Sequence, residues 1–370
     1  MARAVRSSRI VVRVLGSIGA LLGALFVAEG SVALFDPQPV GALTVPELLR
    51  GEFTDPGDHE VKSGEYSVTV HVNQHGFVDH EWGEKKGGRV VILGDSYVQA
   101  AQVPLDDGVG RVLERTLGSM GLAGADVLSM GVPGAGTATE LGVLEKYAFP
   151  EHPDLVLLGF LVANDVLNNH PLLEDRSDKP FYTLQGGHLV KTDAFVMGSS
   201  WLWRQSHLVR RFTREAEERR ISDRKIARGG GIPIDLHVYN PQPDATWEEA
   251  WKVTDALIAE ISRRCEEKNI AFATVLFPDR DGALGHPEWP GTEAWDTQKA
   301  QSRAAAMAKK YGPVLDLSAE FAGHPELYFK SDGHWTAEGH HKAAEAMAHF
   351  VVDVIARRAV TQGMLQSPGR

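Results

Sequence analysis

The chain has 370 residues, 43% hydrophobic and 24% charged, with a formal net charge of −11. That composition suits a globular protein with a large core, excludes a disordered tail, and argues against a general nucleic-acid binder. A single cysteine, Cys265, excludes an intrachain disulfide, and no Cys-x-x-Cys or His-Glu-x-x-His spacing suggests a metal.

The first predicted element is apolar. Arg3, Arg6, Arg9 and Arg13 precede "VLGSIGALLGALFVAEGSVALF", which is apolar from Val14 to Ala28, is interrupted by Glu29, and resumes to Phe35. Residues 1–35 read as a signal anchor or a signal peptide. Small residues at Ala28 and Gly30 permit cleavage after Gly30, whereas roughly 20 apolar residues are enough to span a bilayer. Membrane contact is expected through residues 10–35, with the arginines inside and the rest translocated. The expected location is a single-pass membrane protein with an extracytoplasmic domain or, after cleavage, a secreted one.

Residues 36–88 carry turn signals in "FDPQPVG" and "TDPGDHE" and read as an irregular lead-in packed on the main domain. Within it "YSVTVHVN" alternates like a β-strand, and "NQHGF" turns after it. From Arg89 to about residue 360 strands and helices alternate. The predicted strands are 89–93, 125–130, 154–160, 270–277 and 313–317. The predicted helices lie near 108–119, 137–147, 247–268, 293–311 and 336–358. This alternation implies a mostly parallel sheet with helices on both faces. The stretch from about 166 to 246 is too long for a simple connection and reads as an insertion over one rim of the sheet. It holds a predicted hairpin in "FYTLQGGHLV", turning at Gly186-Gly187, a charged helix in "SWLWRQSHLVRRFTREAEERR", and a flexible "IARGGGIPI". Residues 361–370 read as a flexible tail.

Chemistry gathers at the carboxyl ends of the predicted strands, where open α/β sheets bind their ligands. The first strand runs into "GDSY", with Ser96. The second runs into "SMGVPGAGT", with Gly131, Gly134 and Gly136, and the third into "GFLVANDV", with Asn164. Before the last helix comes "KSDGHWTAEGH", with Asp332 and His334. A serine hydroxyl is a weak nucleophile and needs an adjacent base. His334 suits that role, with Asp332 to fix its tautomer. An oxyanion needs preorganised donors, which the N–H of Ser96, an N–H from the glycine loop and the Asn164 amide can supply. Asp95 and Asp165 read as loop-orienting carboxylates. His340 and His341 read as surface residues of the last helix. Trp201, Trp203 and Trp335 are candidates to line a sugar or acyl site, the first two equally to pack the insertion. The loop "GVPGAGT" lacks the three-glycine nucleotide-binding fingerprint.

Gly-Asp-Ser, a glycine loop, Asn-Asp and Asp-x-His, in this order over residues 89–360, resemble the SGNH/GDSL hydrolase superfamily. The matching positions are Ser96, Gly134, Asn164 and His334, with Asp332 completing the triad. Gly131 is the runner-up for the glycine. The resemblance implies a three-layer α/β/α fold with a five-stranded, flavodoxin-like sheet. It implies ester hydrolysis or acyl transfer with no metal and no organic cofactor. Two departures stand out. Asp332-Gly333-His334-Trp335 has one residue between Asp and His where the superfamily often has two. It is similar to the acetyltransferase-like branch that includes the alginate O-acetyltransferases, in which this pair precedes the serine. Ala163 stands where many members have glycine. The expected function is a serine esterase acting on acyl esters of an envelope carbohydrate or lipid. The alternatives are an O-acyltransferase moving an acetyl group to an extracytoplasmic polysaccharide, and a non-catalytic carbohydrate-binding or assembly protein. No nucleic-acid partner is expected.

Overall fold

The computed structural model describes residues 2–36, 48–49, 53, 55–174, 179–192, 205–213, 230–287 and 289–361. Trp201, Trp203, the tail from 362 and parts of the insertion, including the ends of its predicted charged helix, lie outside them. Five strands form the central sheet: β3 (Arg89–Gly94), β4 (Asp126–Gly131), β5 (Leu155–Leu161), β8 (Ala271–Phe277) and β9 (Val314–Asp316). All are parallel, in the order β4-β3-β5-β8-β9. In chain order of the five this is 2-1-3-4-5, the flavodoxin-like arrangement. The protein is an α/β fold of three layers.

Period-two alternation assigns the layers. Val91 and Leu93 pack with α4 (Thr137–Val143), α6 (Ala245–Glu267) and α7 (Thr297–Ala308), whereas Val90 and Ile92 pack with α3 (Val109–Ser119) and α8 (Ala337–Thr361). Every residue of β3, β5 and β8 is buried, which is why these strands read as continuous apolar runs. Burying each Val, Leu or Ile this way contributes roughly 1.5–3 kcal/mol. Local chemistry sets the ends. Asp244 and Asp296 cap α6 and α7 by accepting backbone N–H groups. After Val143 the predicted helix widens to a π turn over Leu144–Ala148 and then tightens to a 3-10 turn at Phe149–Glu151, where Pro150 lacks the N–H to continue. Cys265 is buried on α6, and burial pushes its thiol up to about 12, so it is an inert packing residue.

Residues 57–72 correct one expectation. Gly57–Lys62 is a strand, β1, where turn signals had suggested loop; it pairs antiparallel with β2 (Ser67–Val72). Only Val61 in "GDHEVK" is a strong apolar β-former, so the strand depends on its partner, not on its own pattern. Val70 and Val72 of this hairpin pack with Val78 and Ala101. In the insertion, β6 (Phe181–Gln185) and β7 (His188–Thr192) form the predicted hairpin, with Gly186 and Gly187 in the turn at φ +58° and +84°.

At the N-terminus, α1 (Ala2–Phe35) carries one stretch, Val12–Phe35, long and apolar enough to cross a membrane, as a membrane anchor or a signal sequence would be. None of that stretch is buried in the fold.

A second correction concerns His340. It is a core residue of α8, 1% exposed, on the same stripe as Ala343, Ala344, Met347, Val351 and Val354. Neither ring nitrogen has a hydrogen-bond partner among the described residues. Burial, helped by the charges of His334 and His341, holds its pKa down to about 3, against 6.5 when solvated. The folded state therefore leaves this imidazole neutral while the unfolded chain protonates it. Stability from this group is full above pH 6.5 and falls as the pH drops toward about 3, by up to ~1.4 kcal/mol per pH unit. The buried carboxyls of Asp95 and Asp279, pushed up to about 6 by burial, act in the opposite sense, losing stability as the pH rises through that value. The His340→Leu variant isolates the histidine. Urea midpoints at pH 7 and pH 5 should show the wild type losing more stability than the variant; equal losses would contradict a neutral buried imidazole.

Candidate active site

Ser96 is the first residue of the short helix α2 (Ser96–Gln99), which follows β3 directly. Asp95 builds this turn. One carboxylate oxygen accepts the Tyr97 N–H at 2.9 Å and the other accepts the Asn164 Nδ2–H at 2.7 Å. The end of β3 is thereby tied to α5 (Val162–Asn168), which starts where β5 stops. Gly131, at the end of β4, lets α2 approach. A Cβ there would sit 2.1 Å from Gln99 N and 2.7 Å from Asp95 O, so no side chain fits.

The C-terminal loop meets this corner. His334 Nε2 lies 2.7 Å from Ser96 Oγ, and His334 Nδ1 lies 2.5 Å from Asp332 Oδ1. With Nδ1 protonated and donating to Asp332, Nε2 is left to accept the serine hydroxyl. Gly333 turns between Asp332 and His334 at φ +84°, and its carbonyl accepts the Tyr97 hydroxyl at 2.9 Å. Trp335 is fully buried, against the expectation that it lines a sugar or acyl site. Its ring stacks on Phe321 at 5.0 Å and meets Tyr97, Phe277 and His340 at 4.8 to 5.5 Å. The loop thus hangs from a core aromatic, and the histidine before it points at the serine.

Gly134 lies in the left-handed region at φ +63°. Its carbonyl accepts from Asn168 Nδ2 at 2.8 Å and from Lys179 Nζ, and Lys179 in turn pairs with buried Glu174. These two donors fix the peptide plane of the glycine loop. Neither stands out in sequence, since each lies more than 30 residues from Gly134.

The electrostatics are unusual beneath the serine. Asp95, Glu140 and Asp165 are all fully buried. Desolvation pushes Asp95 up to about 6, partly offset by the Tyr97 N–H, the His334 charge and the Asn164 amide. Burial, together with neighbouring carboxyl charge, pushes Glu140 and Asp165 well above the ordinary carboxylate range. Asp165 accepts the Leu161 N–H at 2.8 Å and so starts α5. At Asp332 partial burial opposes the charge, but bonds from His334 and Tyr66 outweigh it and hold the carboxyl below its ordinary range. The side chains of His334 and Asp332 are 24% and 23% exposed, so solvent reaches them. His341, by contrast, reaches away to Asp107 at 3.0 Å.

Among the described residues, one trio brings three ligand atoms within 4.8 Å of one another: His80, Glu114 and Asp126. Arg111 already contacts Glu114 at 3.0 Å, and Arg89 contacts Asp126 at 2.7 Å. These cations occupy the charge that a metal would need, and Asp126 begins β4 at the end of the strand opposite Gly131.

Sequence reasoning did not foresee two groups beside the site, Glu65 and Tyr66. Tyr66 donates its hydroxyl to Asp332 Oδ2 at 2.9 Å, and Glu65 Oε2 accepts the N–H groups of Ser331 and Asp332 at 2.8 Å each. They lie 266 or 267 residues before their partners, in a turn with no catalytic signature.

Residues 239–366, which include the Asp332–Trp335 loop, match the family model described as "SGNH hydrolase-like domain, acetyltransferase AlgX". No curated protein sequence matches significantly. Among solved structures, a lipase/acylhydrolase from Enterococcus faecalis is similar at 15% identity and a TM-score of 0.39, with 71% of this chain and 95% of that one covered. An acetyl xylan esterase, AlAXEase, is similar at 14% identity and a TM-score of 0.40, with 71% and 99% covered. A catalytic mutant of an acetylxylan esterase from Geobacillus stearothermophilus is similar at 12% identity and a TM-score of 0.40, with 72% and 95% covered. Residues 239–366, which hold the last helices and the Asp332–Trp335 loop, are thus similar to an SGNH hydrolase-like domain, and the 2-1-3-4-5 sheet agrees with that resemblance.

Proposed function

We propose that the chain is a serine esterase in which Ser96 is the nucleophile, His334 the general base and Asp332 the residue that orients it. The observation that carries this reading is the continuous hydrogen-bond chain from Ser96 Oγ through His334 to Asp332. In the proposed reaction His334 Nε2 takes the hydroxyl proton as Ser96 Oγ bonds to the acyl carbon. The tetrahedral oxyanion is held by the N–H groups of Ser96 and Gly134 and by Asn164. The Asn164 amide nitrogen carries two hydrogens; one serves Asp95 and the other is assigned to the oxyanion. Collapse breaks the ester bond, and His334 returns the proton to the departing alcohol. Water, deprotonated by His334, then releases the acid and restores the serine.

The substrate we infer is an acyl ester on an envelope carbohydrate or lipid. The second reading is an O-acyltransferase, in which a sugar hydroxyl replaces water. The family-model description favours it, because the matched residues 239–366 hold the Asp-x-His-Trp loop. Solvent at Asp332 and His334 favours hydrolysis, since transfer requires that water be kept from the acyl-enzyme. The intact Ser96, Asn164, Asp332 and His334 argue against a non-catalytic role.

We also infer that α1 remains attached as an anchor. Glu29 accepts the Ser206 hydroxyl at 2.6 Å and the His207 and Leu208 N–H groups at 2.6 and 2.9 Å, capping the helical residues 207–213. Arg211 pairs with Asp36 at 2.8 Å. Cleavage after Gly30 would remove these contacts, which supports retention of the helix.

Two outcomes are expected. Ser96→Ala and His334→Ala should each lower p-nitrophenyl acetate turnover at least 1000-fold without unfolding the protein, and Asn164→Ala about 100-fold, with no effect of EDTA on the wild type. Unchanged turnover in Ser96→Ala would refute the nucleophile, and a loss on chelation that metal restores would revive a metal centre. Adding oligosaccharide acceptors separates the readings: acetate alone marks an esterase, acetylated sugar a transferase. For the anchor, intact mass of full-length chain from membranes should include residues before Ser31 and survive alkaline carbonate washing. A soluble chain beginning at Ser31 would show that the segment is a cleaved signal.

A further inference from the structure

The hairpin β1–β2 stands outside the α/β sandwich, yet its tip lies on the loop that carries the proposed acid–base pair. Ser63 shapes the tip. Its N–H donates to Tyr66 O at 2.9 Å, and its hydroxyl oxygen accepts the N–H groups of Glu65 and Tyr66 at 3.0 and 3.3 Å. That turn aims two consecutive side chains at one target. Glu65 Oε2 gathers the N–H groups of Ser331 and Asp332. The Tyr66 hydroxyl reaches Asp332 Oδ2, and its ring rests on Phe329 at 5.0 Å between centroids.

The division of labour on Asp332 is clear. Oδ1 accepts from His334 Nδ1 at 2.5 Å and from the His334 N–H at 3.3 Å, while Oδ2 accepts from Tyr66. Both oxygens are engaged, so the carboxylate cannot rotate about its χ2 without breaking a charge-assisted bond. The loop itself is closed by Phe329, whose N–H donates to His334 O at 2.8 Å and whose carbonyl accepts the Gly333 N–H at 3.0 Å; Glu65 and Tyr66 add contacts to Asp332 from outside the loop.

We propose that Glu65 and Tyr66 are positioning residues for the Asp332–His334 pair, so that the N-terminal hairpin completes the site. This rests on the serine-enzyme reading. Tyr66 does two things. It fixes the carboxylate, and its O–H draws negative charge from Oδ2, making Asp332 a weaker partner for a protonated His334. Glu65 holds the backbone on which Asp332 sits. The other titratable groups around His334 are Asp95 below Ser96, Tyr97 beside the ring, and His340 behind Trp335. Substitution at Tyr66 leaves all three in place.

The test uses the full-length protein in detergent and a fluorophosphonate probe, which needs no known substrate. Ser96 Oγ forms a bond to phosphorus, fluoride leaves, and the hydroxyl proton passes to His334. Peptide mass mapping should place the label on Ser96, and Ser96→Ala should not label. Tyr66→Phe keeps the ring and should fold like the wild type by melting temperature, label about tenfold more slowly, and move the acid limb of the rate–pH profile upward, because a more basic Asp332 favours protonated His334. Glu65→Ala should also slow labelling, whereas Glu65→Gln, which keeps an accepting oxygen, should restore most of it. A label on Ser96 with unchanged rates and an unmoved acid limb in Tyr66→Phe and Glu65→Ala would overturn the positioning role and leave the nucleophile standing. A slowed Tyr66→Phe whose acid limb does not move would overturn the charge-withdrawing role. A label elsewhere than Ser96 would overturn the serine reading and this inference with it.

Discussion

The contact between Ser96 Oγ and His334 Nε2 joins residues 238 positions apart, and most of the surrounding structure serves to hold it at 2.7 Å. A hydrogen bond of this kind weakens steeply with a few tenths of an ångström or with misalignment. Both ends are therefore braced. On the serine side, Asp95 caps α2 and Gly131 allows α2 to lie against β4. On the histidine side, Trp335 locks the following residue into an aromatic cluster, and the hairpin tip grips the residues before it. The parallel sheet brings the strand ends together, but the final alignment comes from these side chains.

The cost of the arrangement is concentrated below the serine. Three carboxyl groups, Asp95, Glu140 and Asp165, are buried in one region, where an ionised carboxylate is expensive. Burial pushes Glu140 and Asp165 toward the neutral form, and both Glu140 oxygens and one Asp165 oxygen have no hydrogen-bond partner among the described residues. Asp95 is different. Burial pushes it up to about 6, and it keeps its bonds to Tyr97 and Asn164. Its charge faces the place where His334 becomes a cation in the proposed reaction. The same carboxylate thus serves as a helix cap, a tether for Asn164 and a partial counter-charge, which explains why a buried acid precedes the serine.

Much of this was legible in the sequence because parallel-sheet strands are continuous apolar runs and their carboxyl ends collect polar, glycine-rich motifs. Val90–Leu93 before Gly-Asp-Ser and Leu155–Leu161 before Asn164 need no long-range information to be placed. The failures have separate causes. A histidine on the last helix reads as a surface residue, but the spacing of His340 from Ala343, Ala344 and Met347 sets it on the buried stripe of α8. Trp335 reads as a candidate to line a sugar or acyl site, but its ring is fully buried and anchors the loop instead. Strand β1 has almost no apolar pattern of its own and exists by pairing. Glu65 and Tyr66 carried no signal, because their role exists only once the hairpin tip meets a loop 266 residues away.

The four residues Asp332-Gly333-His334-Trp335 gain a physical reading from this. Each position answers a different need: a carboxylate whose two oxygens face opposite partners, a residue tolerant of φ +84° to reverse the chain, an imidazole aimed outward, and a large ring aimed inward. One intervening residue, not two, suffices because Gly333 closes the turn and the Asp332 carboxylate reaches back to both Nδ1 and the backbone N–H of His334. Nothing in that logic depends on whether the loop precedes or follows the serine in the chain. What matters is that it leads into a helix packed on the sheet face behind β3, as α8 does through Met347 and Val351. Ser-His-Asp arrangements recur in different chain orders on unrelated folds because geometry, not sequence position, defines them. Here the loop comes last, and the N-terminal hairpin lies across it as the outer brace.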